Sequence, residues 1–310
     1  MIKDTFICYA KALRINHWIK NLVVYTAILF NGGNLISQRD VFLENIILST
    51  EAFCIFCILS SVSYIINHIL DCSKDRLHPI KKNRPIASGK ISIQQASFVG
   101  FFLTVISIAL SITISTQFFF TILIFLLIHI LYSFYLKRIS IVDIFIISLS
   151  FMIRTLAGEI ATGYHVPIWL LFTIFFFSLF MASVKRQAEL VLNGAKARAS
   201  LQSYKDYLLL FLTNTFATAT IITYSLFTYY SIIEKDFSQN FLSNFLPNVE
   251  SKKMLMITIP FVVYGIARYA QILYEKEEGE RPEKIITTDK PLLAVMFLWS
   301  LSIIIIIYLI

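Results

Sequence analysis

Residues Tyr64–Gly89 read YIINHILDCSKDRLHPIKKNRPIASG, and this stretch decides how the rest of the chain is read. It begins inside a long apolar run and leaves it carrying Asn67, His68, Asp71 and Asp75. At about 100° per residue these four fall within an arc of roughly 100° on a helix. One face of an apolar helix therefore ends in an amide, an imidazole and two carboxylates. A basic loop follows at once, with Arg76, Lys81, Lys82, Arg84 and Lys90. Carboxylates converging at a water boundary suit Mg2+, which takes one or two of them, keeps several waters and bridges to substrate phosphates. The flanking Arg and Lys side chains would hold further phosphate oxygens. A solvated helix end with a positive-inside loop is the plainer alternative, and it accounts for the Lys and Arg. It accounts poorly for Asn67 and Asp71, which sit on the end of a hydrophobic helix at a desolvation cost.

Working outward, the composition places that helix in a polytopic membrane protein. Of 310 residues 57% are hydrophobic and 15% charged, with 28 Phe and only 9 Gly. Mean hydropathy is +0.73. This excludes a soluble domain with a large core. Lys3, Lys11, Arg14 and Lys20 punctuate the first residues without an apolar core of signal length, so no cleaved signal peptide is expected. The net charge of +8 reads as positive-inside loops facing anionic lipid, with no nucleic acid as partner. Cys54 and Cys57 form a CxxC in the middle of an apolar helix without a second pair, and read as small packing residues.

Nine transmembrane helices are expected, near residues 18–36, 44–71, 93–115, 117–136, 140–163, 167–190, 206–233, 254–274 and 290–310. The tight links at 115–117 and 163–167 predict helical hairpins. The expected architecture is all-α, one domain over residues 1–310, around a cytoplasm-facing site. With the N-terminus inside, 21 of the 27 Lys and Arg residues fall on the inner side. Only Arg39, Lys235, Lys252 and Lys253 fall outside, and Arg154 and Arg268 lie within spans. This asymmetry predicts a cytoplasmic N-terminus and an outside C-terminus.

The inner ends carry nearly all remaining polar chemistry. In LRINHWIKN, residues 13–21, Arg14 reads as lying among headgroups, while Lys20 either does the same or turns into a site. Tyr132 and Lys137 close the fourth span, and Asp143 opens the fifth. Arg154 lies eleven residues beyond Asp143 on the same helix face, roughly 16 Å along the axis. An arginine at that depth is a functional candidate, or else a structural partner of Asp143 or Glu159. In SVKRQAEL, Lys185 either pairs with Glu189 one turn on or binds phosphate, with Arg186 beside it. The acidic segment around Glu277, Glu278 and Glu280 reads as a solvated connector, and His78 as part of a loop turn.

Several segments together resemble the UbiA superfamily of intramembrane prenyltransferases. That family has nine helices, an NDxxDxxxD motif at the end of the second, and a K-x-RP-(I/L)-x-x-G loop after it. Here these read NHILDCSKD and KNRPIASG. LRINHWIKN, DRLHPIKKNRPIASG, FMIRTLAGEIATG, LFMASVKRQAEL and ARYAQILYEKEEGERPEKI are similar to its decaprenyl-phosphate phosphoribosyltransferase branch. His68 stands where the family motif has its first Asp. Between the fourth and fifth spans there is only Asp143, preceded by Lys137 and Arg138, where prenyl-diphosphate enzymes usually carry a second Asp-rich motif.

The resemblance implies transfer of 5-phosphoribosyl from phosphoribosyl pyrophosphate to a polyprenyl phosphate, with Mg2+ and inversion at the anomeric carbon. Asn67, Asp71 and Asp75 then hold the metal as the catalytic group. Lys81, Arg84 and Lys137 take the donor's phosphates, while Arg154 and Lys185 place the acceptor phosphate. Lys20, Tyr132, Asp143 and Arg186 complete the expected substrate-binding set. The implied location is a bacterial plasma membrane, and a homo-oligomer is compatible with the sequence. Two rivals remain: a prenyltransferase acting on an apolar acceptor, and a non-catalytic transporter. A transporter would carry charges or broken helices near the midplane, whereas here the charges gather at one side.

Overall fold

The computed structural model describes residues 2–35, 39–77, 81–193, 200, 204, 206–231, 251–276 and 288–309. The segments around His78, Asn240 and Glu277 lie outside these residues. Among the described residues all regular structure is helical. In chain order the α-helices are α1 (Ile2–Leu13), α2 (Thr26–Leu35), α3 (Arg39–Leu70), α4 (Cys72–Leu77), α5 (Ile93–Ile114) and α6 (Thr116–Phe134). Then come α7 (Val142–Thr162), α8 (Ile168–Asn193), α9 (Asp206–Tyr230), α10 (Ile259–Lys276) and α11 (Lys290–Ile304).

Eight helices among the described residues are long and apolar enough to cross a membrane, and the expected first span is not one of them. There a 3-10 segment, Ile15–Tyr25, runs into the 10-residue α2. With rises of about 2.0 Å per residue for a 3-10 helix and 1.5 Å for an α-helix, neither segment alone reaches the ~30 Å of a hydrocarbon core.

The chain divides into two compact units. The first contains Met1–Ile28, Leu43–Lys137 and Ile153–Tyr164; the second contains Leu29–Phe42, Arg138–Met152 and His165–Ile310.

In the first unit α3 is the central element. Ala52, Ile55, Phe56 and Leu59 are buried on it against Phe118, Ile122 and Phe125 of α6 and Ala157 of α7. Phe56 meets Phe125 edge-on at 5.0 Å between ring centres. The 3-10 segment is tied to α3 through its polar side chains. Trp18 Nε1 donates to Ser61 Oγ at 3.0 Å. The fully buried Asn21 donates to Cys57 Sγ at 3.3 Å and accepts from Ser60 Oγ at 3.2 Å. Gly158 of α7 lies against the Val24 carbonyl, where an added Cβ would overlap the oxygen. Ser115 ends α5 and caps α6, accepting from the Phe118 N–H at 3.0 Å, so the first expected hairpin is present.

The second unit is built on α8 and α9, whose Leu179, Phe180, Val184, Leu209 and Phe216 share a core with Ile266 and Tyr269 of α10. Arg268 on α10 holds Asp289 through two bonds of 3.1 and 2.8 Å. Asp289 also caps α11 by accepting from the Leu292 N–H at 3.0 Å.

Candidate metal and phosphate site

The end of α3 builds the site much as its spacing predicts. α3 stops at Leu70 and α4 restarts at Cys72, but the Asp71 N–H still bonds the Asn67 carbonyl and the Asp75 N–H the Asp71 carbonyl. The helical stacking of Asn67, Asp71 and Asp75 therefore persists across the break. Beneath them Cys72, Ile86, Ile91 and Ala96 form a small buried cluster with Ile65 and Ala12. It seats the basic loop against the helix end. Arg76 helps from the side, donating to the Ala87 carbonyl at 3.2 Å, so its guanidinium braces the loop.

Each carboxylate of the pair meets a cation. Arg84 Nη1 lies 2.6 Å from Asp75 Oδ2, with Asp75 only 5% exposed. Lys137 Nζ lies 2.9 Å from both Asp71 oxygens and 3.4 Å from Asn67 Oδ1. Asn67 Nδ2 donates to the Ser63 carbonyl at 3.1 Å, which turns Oδ1 toward that ammonium. Among the described residues no group of three or more His, Cys, Asp or Glu side chains is already gathered for a metal. The donor set nevertheless fits Mg2+: it is all oxygen, it includes carboxylates, and a cation already sits on it. Mg2+ needs only one or two carboxylates when water and phosphate fill the other positions.

His68, at the position of the family motif's first Asp, is 4% exposed, and neither ring nitrogen has a hydrogen-bond partner. Lys20, Lys81 and Tyr132 are half-buried in the first unit. Arg154 is 6% exposed in that unit's core, its guanidinium 5.0 Å from the Phe125 ring centre, where the aromatic face favours the charge.

Asp143, Lys185 and Arg186 belong to the second unit. Asp143 and Arg186, expected among the substrate contacts, form an ion pair with one another. Arg186 Nε donates to Asp143 Oδ2 at 2.6 Å and Nη1 donates to Glu189 at 2.9 Å, with both members of the first pair essentially buried. Asp143 also accepts from Ser200 Oγ at 3.3 Å and from the Tyr204 hydroxyl at 3.0 Å. That hydroxyl in turn accepts from the Ile141 N–H. Burial, with the Asp143 charge adding to it, pushes the Tyr204 hydroxyl above the ordinary tyrosine range. These bonds tie α7 to α8 through Asp143 and Arg186. Arg186 also holds Glu189, the residue for which the sequence offered Lys185 as a partner.

The sequence did not disclose the contact between Arg14 and Tyr64. The Arg14 backbone is left-handed, with φ +50°, where α1 turns into the 3-10 segment. Its guanidinium lies 4.9 Å from the ring centre of Tyr64, one turn before Asn67. Tyr64 was visible on that face. The turn was not, because Arg is not a residue that favours positive φ.

A helical membrane protein with acidic and basic side chains interleaved at one helix end has the makings of an intramembrane transferase for phosphorylated substrates. The chain belongs to the UbiA prenyltransferase family, whose profile matches residues 24–302. It is 33% identical over 304 residues to the decaprenyl-phosphate phosphoribosyltransferase of Corynebacterium glutamicum, covering 96% of this chain and 86% of that one. It is 34% identical over 294 residues to the enzyme of the same name from Mycolicibacterium smegmatis, covering 93% and 89%. Among solved structures, a UbiA homologue from Archaeoglobus fulgidus bound to GPP and Mg2+ superposes with a TM-score of 0.67 at 20% identity, over 97% of this chain and 99% of that one.

Proposed function

We propose that the chain transfers 5-phosphoribosyl from phosphoribosyl pyrophosphate to a polyprenyl phosphate. The observation that carries this is the alternation of Asp71 with Lys137 and Asp75 with Arg84 at the end of α3, in a chain akin over nearly its whole length to phosphoribosyltransferases. Asn67, Asp71 and Asp75 are the proposed metal ligands. Bound there, Mg2+ would draw charge from the leaving pyrophosphate. Lys81, Arg84 and Lys137 are proposed to hold the donor's phosphates, with Lys20 and Tyr132 as further contacts. Positive charge develops on the ribose and negative charge on the leaving group, so fixed cations supply most of the stabilisation. An oxygen of the lipid phosphate forms the new bond to the anomeric carbon as the bond to pyrophosphate breaks, with inversion. That oxygen is already anionic near neutral pH, so no side chain has to remove a proton. Arg154 is the proposed counter-charge for the acceptor. The chain is proposed to act as one domain in a bacterial plasma membrane, with its N-terminus cytoplasmic.

Phosphoribosyl pyrophosphate with Mg2+ is expected to raise the melting temperature of the purified protein, as a ligand selective for the folded state must. Geranyl diphosphate is expected to do little. Radiolabelled donor with a polyprenyl phosphate should yield a ribose-phosphate lipid. A protein that instead prenylates an aromatic acid and ignores phosphoribosyl pyrophosphate would leave the family membership standing and remove this activity.

A further inference from the structure

The oxygens proposed for a metal already hold a cation, and it is a side chain of the protein itself. The Lys137 ammonium has three donors and meets three oxygens, both of Asp71 and Oδ1 of Asn67. Lys137 stands in the short 3-10 turn that follows α6, and its side chain is 12% exposed against 33% for Asp71. The carboxylate thus keeps an open flank while the ammonium sits on its inner side. A dication and an ammonium on one carboxylate repel one another, so the two compete for this position. His68, in place of an acid, supplies no further negative charge to hold both.

We propose that Lys137 is the resident cation of the Asn67–Asp71 pair, and that a divalent metal displaces it onto a phosphate oxygen of the donor. This rests on the metal and phosphate reading above. The metal arriving alone must strand the ammonium. Arriving with a diphosphate, it leaves the ammonium a new anion, so metal and diphosphate bind with positive coupling. By linkage the coupling is the same in both directions.

Binding of Mn2+, followed by the paramagnetic resonance of the free ion, tests this on the full-length protein in detergent, with and without inorganic pyrophosphate, each against a protein-free sample of the same composition because pyrophosphate itself chelates Mn2+. Lys137→Met and Lys137→Gln are both used, and each is checked for folding by its melting curve. Without pyrophosphate, the variants are expected to bind Mn2+ about tenfold more tightly than the wild type, because the competing charge-assisted contact is gone. The gain on adding pyrophosphate is expected to shrink. Folded variants that bind Mn2+ alone no more tightly than the wild type overturn the exchange and leave the metal assignment intact. Asp71→Asn separates the two ideas: it is expected to lose Mn2+ binding, and wild-type binding by that variant removes both.

Discussion

At the scale of single residues, the site is a set of opposed charges whose members are not equivalent. Asp75 is nearly buried and its pairing with Arg84 also anchors the loop, whereas Asp71 is one-third exposed and open to a ligand. Asp71→Asn and Asp75→Asn are each expected to lower turnover by about 10²–10³, the loss seen when one preorganised electrostatic contact to a developing charge is removed. Changes on the Asp71 side and the Asp75 side should differ in stability. Asp71→Asn is expected to melt close to the wild type. Arg84→Ala should lower stability by about 1–3 kcal/mol, since it strips a buried carboxylate of a hydrogen-bonded partner. A chemical-denaturation series with turnover measured on the same samples separates these effects. Equal stability losses for Asp71→Asn and Arg84→Ala would contradict the division of labour.

At the scale of elements, the helices were legible where apolar runs are long, and the structure adds the caps that bound them. Ser92 with Gln95 forms a capping box at the start of α5, and Ser115 serves the junction of α5 and α6. Asn67, Asp71 and Asp75 were legible because helical periodicity stacks them. Their pairing was not: Lys137 comes from 66 residues away, and Arg84 reaches Asp75 only through the fold of the loop between them. The network around Asp143 was hidden because Arg186, Ser200 and Tyr204 come from far along the chain. The 3-10 geometry of Ile15–Tyr25 had no periodic signature either. It is enforced by contacts, most directly by the approach of Gly158 to the Val24 carbonyl. A methyl group has no room there, and relief requires backbone to shift. Gly158→Ala is therefore expected to destabilise by about 1–3 kcal/mol or more, read as a fall in melting temperature. Wild-type stability would mean that the two elements separate without penalty.

At the scale of the whole molecule, charge asymmetry predicts the orientation. Lys82 belongs to the proposed cytoplasmic side, and Asn240, outside the described residues, to the opposite side. With the four native cysteines replaced, Asn240→Cys in right-side-out vesicles is expected to react with an impermeant thiol reagent, and Lys82→Cys to be protected. The reverse pattern would invert the topology and put the candidate site outside. The class of protein was legible from composition and from the interleaved acids and bases, because both are properties of the chain itself. The choice of sugar-phosphate donor rests on kinship instead, since interleaved charges by themselves specify a phosphorylated ligand and not the group it carries.

The ties between Asn21, Trp18 and α3 also bear on how the protein is made. Their partners Cys57, Ser60 and Ser61 follow them by 36 to 43 residues. Hydrocarbon offers no hydrogen bonds, so a lone Asn21 is poorly suited to it. At about 5–20 residues per second, translation takes roughly 2–8 s to deliver those partners. Residues 15–25 are therefore expected to wait at the translocon and to enter the bilayer as a pair with α3. Nascent chains arrested before Ser61 should leave this segment open to protease, while longer ones should protect it. Protection in the shorter chains would show that the segment inserts by itself.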